Sequence, residues 1–159
     1  MKENDIEYLR MWRNDSNNTK YLRKLGYITE QMQLKWWQQY LENEDELCFS
    51  IMETGEINSI VGSASLYNFH GNQAEFGKFL IGDERAHGKG IGYCALMAIL
   101  KIAFTTVAME KIVLECHEYN IPAFRIYEKT GFRIVGSHDF ADGCKEYDME
   151  LLKQDYNYE

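Results

Sequence analysis

Arg85-Ala86-His87-Gly88-Lys89-Gly90-Ile91-Gly92 stands between a predicted strand, Ala74 to Ile81, and a predicted helix marked by Ile91, Ala95, Ala98, Ile99 and Ile102. The first turn of a helix carries backbone N–H groups without intrahelical partners, and its aligned peptide dipoles add positive potential, so this position favours an anion. Glycines at 88, 90 and 92 let phosphate oxygens approach the backbone and serve loop positions that need positive φ. Taken alone, the pattern also fits a plain turn. A dinucleotide-binding fingerprint would need a third glycine where Tyr93 stands, and a P-loop would need Gly-Lys-Ser/Thr in register.

Outward from this loop, residues from about Asp5 to Arg13 read as a short helix, broken by Asn14-Asp15-Ser16-Asn17-Asn18. Thr29 caps a second helix with Met32, Trp36 and Tyr40 on one face and Trp37 and Leu41 on an adjoining strip. Strands are expected at Leu47 to Met52, Ser59 to Phe69 and Ala74 to Ile81, joined by turns around Gly55 and at Gly71-Asn72. The helix from Ile91 runs to about Thr105, and Lys111 to Cys116 is a strand. Ile121 to Thr130 is a helix between the cap Asn120 and the stop Gly131. Strands at Phe132 to Ser137 and Lys145 to Leu152 flank an Asp142-Gly143 turn. This order predicts an α+β (mixed α/β) fold with helices on both faces of a sheet.

The 159 residues suit a single domain over 1–159, and 45% hydrophobic with 26% charged residues excludes a disordered class. No apolar run reaches about 18 residues and the N-terminus lacks signal-peptide features, so a cytoplasmic location without a membrane partner is expected. Cys48, Cys94, Cys116 and Cys144 are scattered, which signals neither a metal knuckle nor a disulfide scaffold. A formal charge of −8 argues against nucleic acid and accommodates a cationic partner.

Arg85-x-x-Gly88-x-Gly90 resembles the Arg/Gln-x-x-Gly-x-Gly/Ala pattern with which GNAT acetyltransferases hold the pyrophosphate of coenzyme A. Thirty positions on, Asn120-x-x-Ala123-x-x-x-Tyr127-x-Lys129-x-Gly131-Phe132 resembles the family's second signature, and the match covers about Ala74 to Val135. The resemblance implies a GNAT-like, mostly antiparallel twisted sheet splayed at its middle, with acetyl-CoA as cosubstrate and no metal. It implies that Phe79, Leu80 and Ile81 line the pantetheine arm, that the backbone from Ala86 through His87, Gly88, Lys89, Gly90 and Ile91 to Gly92 cradles the pyrophosphate beside Arg85, and that Asn120 and Ala123 lie at the cofactor.

Direct acetyl transfer needs a neutral amine, a stabilised oxyanion and a protonated leaving thiolate. The resemblance assigns the last task to Tyr127, whose phenol carries a proton at neutral pH. Glu115, and next Glu75, are candidate bases, each also readable as a solvated strand residue. The Leu9 to Asn14 segment, with Trp12-Arg13-Asn14, resembles branches that acetylate amino sugars or protein N-termini. The acceptor expected first is a small-molecule amine, an amino sugar. A protein N-terminus, a polyamine and a non-catalytic acyl-CoA sensor are the alternatives, and the resemblance leaves room for a homodimer.

Overall fold

The computed structural model describes residues 1–22, 26–139 and 143–157. In chain order it contains α1 (Ile6–Asn14), α2 (Glu30–Leu41), β1 (Glu46–Glu53), β2 (Ser59–His70), β3 (Gln73–Ile81), α3 (Ile91–Thr105), β4 (Lys111–His117), α4 (Ile121–Lys129), β5 (Arg133–Asp139) and β6 (Lys145–Leu152). The strands form a six-stranded sheet in the order β1-β2-β3-β4-β6-β5. The mixed α/β class with a mostly antiparallel sheet agrees with the sequence expectation. Of the expected Asp142-Gly143 turn, Asp142 lies outside the described residues, and Gly143 has φ +80°.

The chain forms two compact units, one of Met1–Ser65 with Lys78–Ile91 and one of Leu66–Gly77 with Gly92–Glu159. In the first, Ile6, Trp12, Trp37, Ile51, Val61 and Ala64 are buried. The Trp12 ring lies against Gly82 so closely that a Cβ there would run into it. The Asn14 side-chain amide exchanges two hydrogen bonds of 2.8 Å with the Ile28 backbone, fixing the segment that leads to α2. Thr29 caps α2 as expected, its hydroxyl accepting from the Met32 N–H at 3.2 Å.

In the second unit, Leu66, Phe76, Leu96, Leu100, Phe104, Ile112, Met149 and Leu151 are nearly or wholly inaccessible. Strand β4 pairs antiparallel with β6 along its whole length, from Lys111↔Leu152 to His117↔Glu146. Its parallel pairing with β3 covers three residues, Gln73↔Lys111 to Glu75↔Val113, so Leu114 to His117 are paired on the β6 side alone.

Two helical faces differ from the sequence expectation. On α2 the buried residues are Gln33 and Trp37, while Met32 and Leu41 are exposed. Two apolar strips adjoin on this helix, and the one carrying the Trp37 indole is buried. On α3 the buried set is Leu96, Ile99, Leu100, Ala103 and Phe104, whereas Ala98 and Ile102 are exposed. This helix is apolar around most of its circumference, so spacing does not select a stripe, and only packing against its neighbours decides which apolar residues are buried.

Candidate active site

The loop after β3 is built by local hydrogen bonds. The Gly82 and Asp83 N–H groups both donate to the Val61 carbonyl, at 2.9 and 3.1 Å. Asp83 then caps a single 3₁₀ turn, Glu84–Ala86, by accepting from the Arg85 N–H at 3.0 Å. The Arg85 guanidinium is also held by Asp83, with Nη2 2.6 Å from Oδ2, and this pairing pulls the Asp83 carboxyl below its usual range. Ala86 is buried, and the His87 ring Nε2 lies 2.8 Å from the Ile81 carbonyl oxygen. Lys89 reaches Glu56 at 2.7 Å across an exposed contact.

Gly88 and Gly90 have φ +73° and +76°, and an added Cβ at either would meet nothing within 4 Å. Their conformation, rather than crowding, is what calls for glycine. No atom lies within 4 Å of a Cβ at either position, and the chain passes directly into the first turn of α3, whose N–H groups have no intrahelical acceptor. The donor set and the clearance fit a pyrophosphate.

Strand β3 carries an irregularity just before its half-buried Phe79, Leu80 and Ile81. Lys78 has φ +51°, in a region where a non-glycine residue is uncommon. Its ammonium is tied to the buried Glu46 at 2.6 Å. Burial alone would raise the Glu46 carboxyl, but hydrogen bonds involving Lys78, Cys48 and Ser65 outweigh it and leave the group below the usual range.

In the second unit, alternation along the strands separates two chemistries. Leu114 stands opposite Met149 and Ile112 opposite Leu151, all buried. The other side carries Glu75 on β3, Glu115 and His117 on β4, Glu146 and Asp148 on β6, and His138 on β5, in the register Glu115↔Asp148, His117↔Glu146 and His138↔Glu146. Glu75 accepts from the Tyr67 hydroxyl at 2.5 Å and from the Asn68 side chain at 2.8 Å. Burial pushes the Glu115 carboxyl above the usual range. The charges of Glu146 and Glu75 add to that push, His138 opposes it and Asp148 adds further.

The two candidate carboxylates are therefore brought onto one face. Tyr127 is on the opposite side: it is buried, with its ring edge-on to Phe76 at 6.2 Å and to Phe132 at 5.9 Å. Burial first, and the Cys116 thiol second, push its phenol far above the ordinary tyrosine value, so it keeps its proton at every physiological pH. Its carbonyl accepts from Phe132 N–H at 3.0 Å and from the Thr130 hydroxyl at 2.8 Å. Asn120 caps α4, its side-chain oxygen accepting from the Ala123 N–H at 3.4 Å. That leaves the Asn120 amide nitrogen as a donor. Lys129, one turn from Arg125, lies over the Tyr93 ring at 4.1 Å.

Sequence reasoning passed over Tyr67, Asn68, His138, Glu146 and Asp148. The signal for the last three was present in the period-two alternation of β5 and β6 but required the pairing register to be used. Among the described residues, no helix is long and apolar enough to cross a membrane.

Residues 1–133 match the sequence model of the family described as acetyltransferase (GNAT) domain. A prophage-derived N-acetyltransferase of Bacillus subtilis is 30% identical over 102 residues, 64% of this chain and 56% of that protein. A spermine/spermidine N(1)-acetyltransferase of the same organism is 38% identical over 58 residues, 36% of this chain and 38% of that protein. The chain thus spans little more than half the length of the first of these relatives and less of the second. Among solved structures, a spermidine N-acetyltransferase from Vibrio cholerae, in complex with CoA and spermine, superposes with a TM-score of 0.87 at 21% identity, covering 98% of this chain and 94% of that one.

Proposed function

The chain belongs to the GNAT acetyltransferase family, and from that premise we propose that it works as one domain that moves an acetyl group from acetyl-CoA directly to a primary amine of a small cationic molecule, a polyamine in preference to an amino sugar. The thioester supplies the activated acetyl group; the chain's residues bind, orient and move protons. The N–H groups from Ala86 to Gly92 receive the pyrophosphate, helped by Arg85 once it turns from Asp83. Phe79, Leu80 and Ile81 offer strand backbone to the pantetheine arm, and Asn120 and Ala123 complete the cofactor contacts. Glu115, seconded by Glu75, takes the proton from the acceptor ammonium. Tyr127, which carries its proton at neutral pH, is the acid that the family's second signature assigns to the departing sulfur.

The structural observation that supports the acceptor class is the face on which Glu75, Glu115, Glu146 and Asp148 stand together, since four carboxylates in one place favour a multiply charged cation. The spermine/spermidine enzyme among the relatives supports the same class. The Trp12-Arg13-Asn14 element, shared between the amino-sugar and protein N-terminal branches, does not oppose it, because Trp12 and Asn14 are engaged in packing against Gly82 and bridging Ile28.

The test is release of free CoA thiol from acetyl-CoA with a panel of spermidine, spermine, a nucleotide-linked amino sugar and an N-terminal peptide. Turnover with the polyamines at least tenfold above the others is expected. Preference for the amino sugar or the peptide overturns the acceptor class. Cofactor binding without release for any amine would favour the non-catalytic sensor.

A further inference from the structure

Resting on the reading of Glu115 as the proton acceptor, we propose that His138 is a positioning residue for that carboxylate, clamping Glu146 and Asp148 and supplying the compensating positive charge beside it. The geometry carries this. His138 Nδ1 lies 3.1 Å from Asp148 Oδ1, and Nε2 lies 3.5 Å from Glu146 Oε2. Both ring nitrogens thus face carboxylate oxygens, an arrangement that supplies a donor on each side only as imidazolium. One side-chain atom each of Glu115, His138 and Glu146 lie within 4.8 Å of one another.

The charged groups around Glu115 come from every strand of this face. Glu75 is on β3, Lys111 and His117 on β4, His138 on β5, and Glu146, Asp148 and Glu150 on β6. Lys111 is turned to Glu150 at 3.8 Å. Glu146, Glu75 and Asp148 disfavour the negative charge of the Glu115 carboxylate, and His138 favours it. Like charges around a base favour its protonated form, in which it cannot accept a proton. A cationic His138 ring opposes that, and by holding the two β6 acids in place it also keeps them from closing on Glu115.

The register explains how a residue from the edge strand comes to act here. A shift in the β5–β6 pairing between Ile134 and Gly136 puts Gly136 opposite Asp148. A Cβ at Gly136 would come within 2.8 Å of the Asp148 carboxylate, so the bare glycine leaves room for that carboxylate beside the histidine ring.

The experiment has two arms. In the first, the pH profile of kcat/KM is measured for the whole chain and for His138→Gln and His138→Lys. With Gln the acid limb moves up by about one pH unit, and with Lys, which restores a cation, it returns toward the wild-type position. A limb that stays in place in His138→Gln, with or without a uniform loss of rate, overturns the proposal. In the second arm, carbon-13 NMR follows the titration of the Glu115 carboxyl, assigned with Glu115→Gln, without any turnover. An upward shift in His138→Gln supports the proposal and an unchanged midpoint overturns it. Full turnover in Glu115→Gln would overturn the base assignment instead, and the NMR arm would still decide what His138 does to its neighbour.

Discussion

The two sides of the strands β3, β4 and β6 share a backbone and almost nothing else. On one side Ala74, Phe76, Ile112, Leu114, Met149 and Leu151 are close to fully buried. On the other, Glu75, Glu115, Glu146 and Asp148 share a face with His117 and His138. The apolar side is where stability accumulates, since each buried aliphatic side chain contributes about 1.5–3 kcal/mol of transfer free energy. The acidic side contributes little or works against folding, because like charges repel and a partly buried carboxylate loses hydration. Residues that weaken a fold are retained where they do something else.

That contrast is open to direct attack, beginning on the acidic side. Glu115→Gln removes the proposed proton acceptor and is expected to lower kcat/KM by about 10²- to 10⁴-fold, with thermal unfolding at or slightly above the wild-type midpoint. A lowered midpoint with turnover intact would make Glu115 a structural residue and erase the distinction. Tyr127→Phe, from the apolar side, should lower kcat by about 10²-fold while acetyl-CoA affinity by calorimetry stays within a few-fold. Wild-type turnover would remove the tyrosine from the chemistry.

Leu114→Ala probes the apolar side itself. It should cost about 2–5 kcal/mol in denaturant unfolding, because the cavity adds to the lost transfer free energy. A loss below about 1 kcal/mol would mean that the side opposite Glu115 is less tightly packed than its burial indicates.

A smaller effect comes from the first unit, where Glu46 sits below the usual carboxylate range. A depressed folded-state pKa contributes stability above the unfolded value of about 4.3, and this is lost as pH falls through the folded value. Lys78→Met takes away the cation, so the difference in stability between wild type and variant should be largest at neutral pH and shrink on acidification. A difference independent of pH between 3 and 7 would contradict the ion pair's role.

The smallest effect is expected from Gly88→Ala, which places a Cβ at φ +73° and costs about 1–2 kcal/mol of local strain. It should weaken acetyl-CoA binding several-fold, measured by calorimetry on the folded variant. Unchanged affinity would show that the loop tolerates another conformation.

Much of this was legible in the chain. The caps Thr29 and Asn120, the start of α3 at Ile91 and the stop at Gly131 were each marked by residues whose local chemistry admits few alternatives. The Arg85 to Gly92 loop could be read as a candidate anion site because glycine and a helix start are both local features. The buried stripe of α3 was not legible, since Ala98, Ile99 and Ile102 are all apolar and only packing distinguishes them. Lys78 carried no signal of its positive φ, nor of its ammonium's tie to a carboxylate 32 residues earlier in the chain.

The sequence by itself determined the kinds of element, their order and the two signatures that carry the family, because capping, periodicity and glycine conformation act over a few residues. Tertiary structure alone decided that Glu75, Glu115, Glu146, Asp148 and His138 share one face while Tyr127 lies behind the opposite one. The reason is that strand register joins residues dozens of positions apart, and a slip of one residue would send every side chain of a strand to the other side.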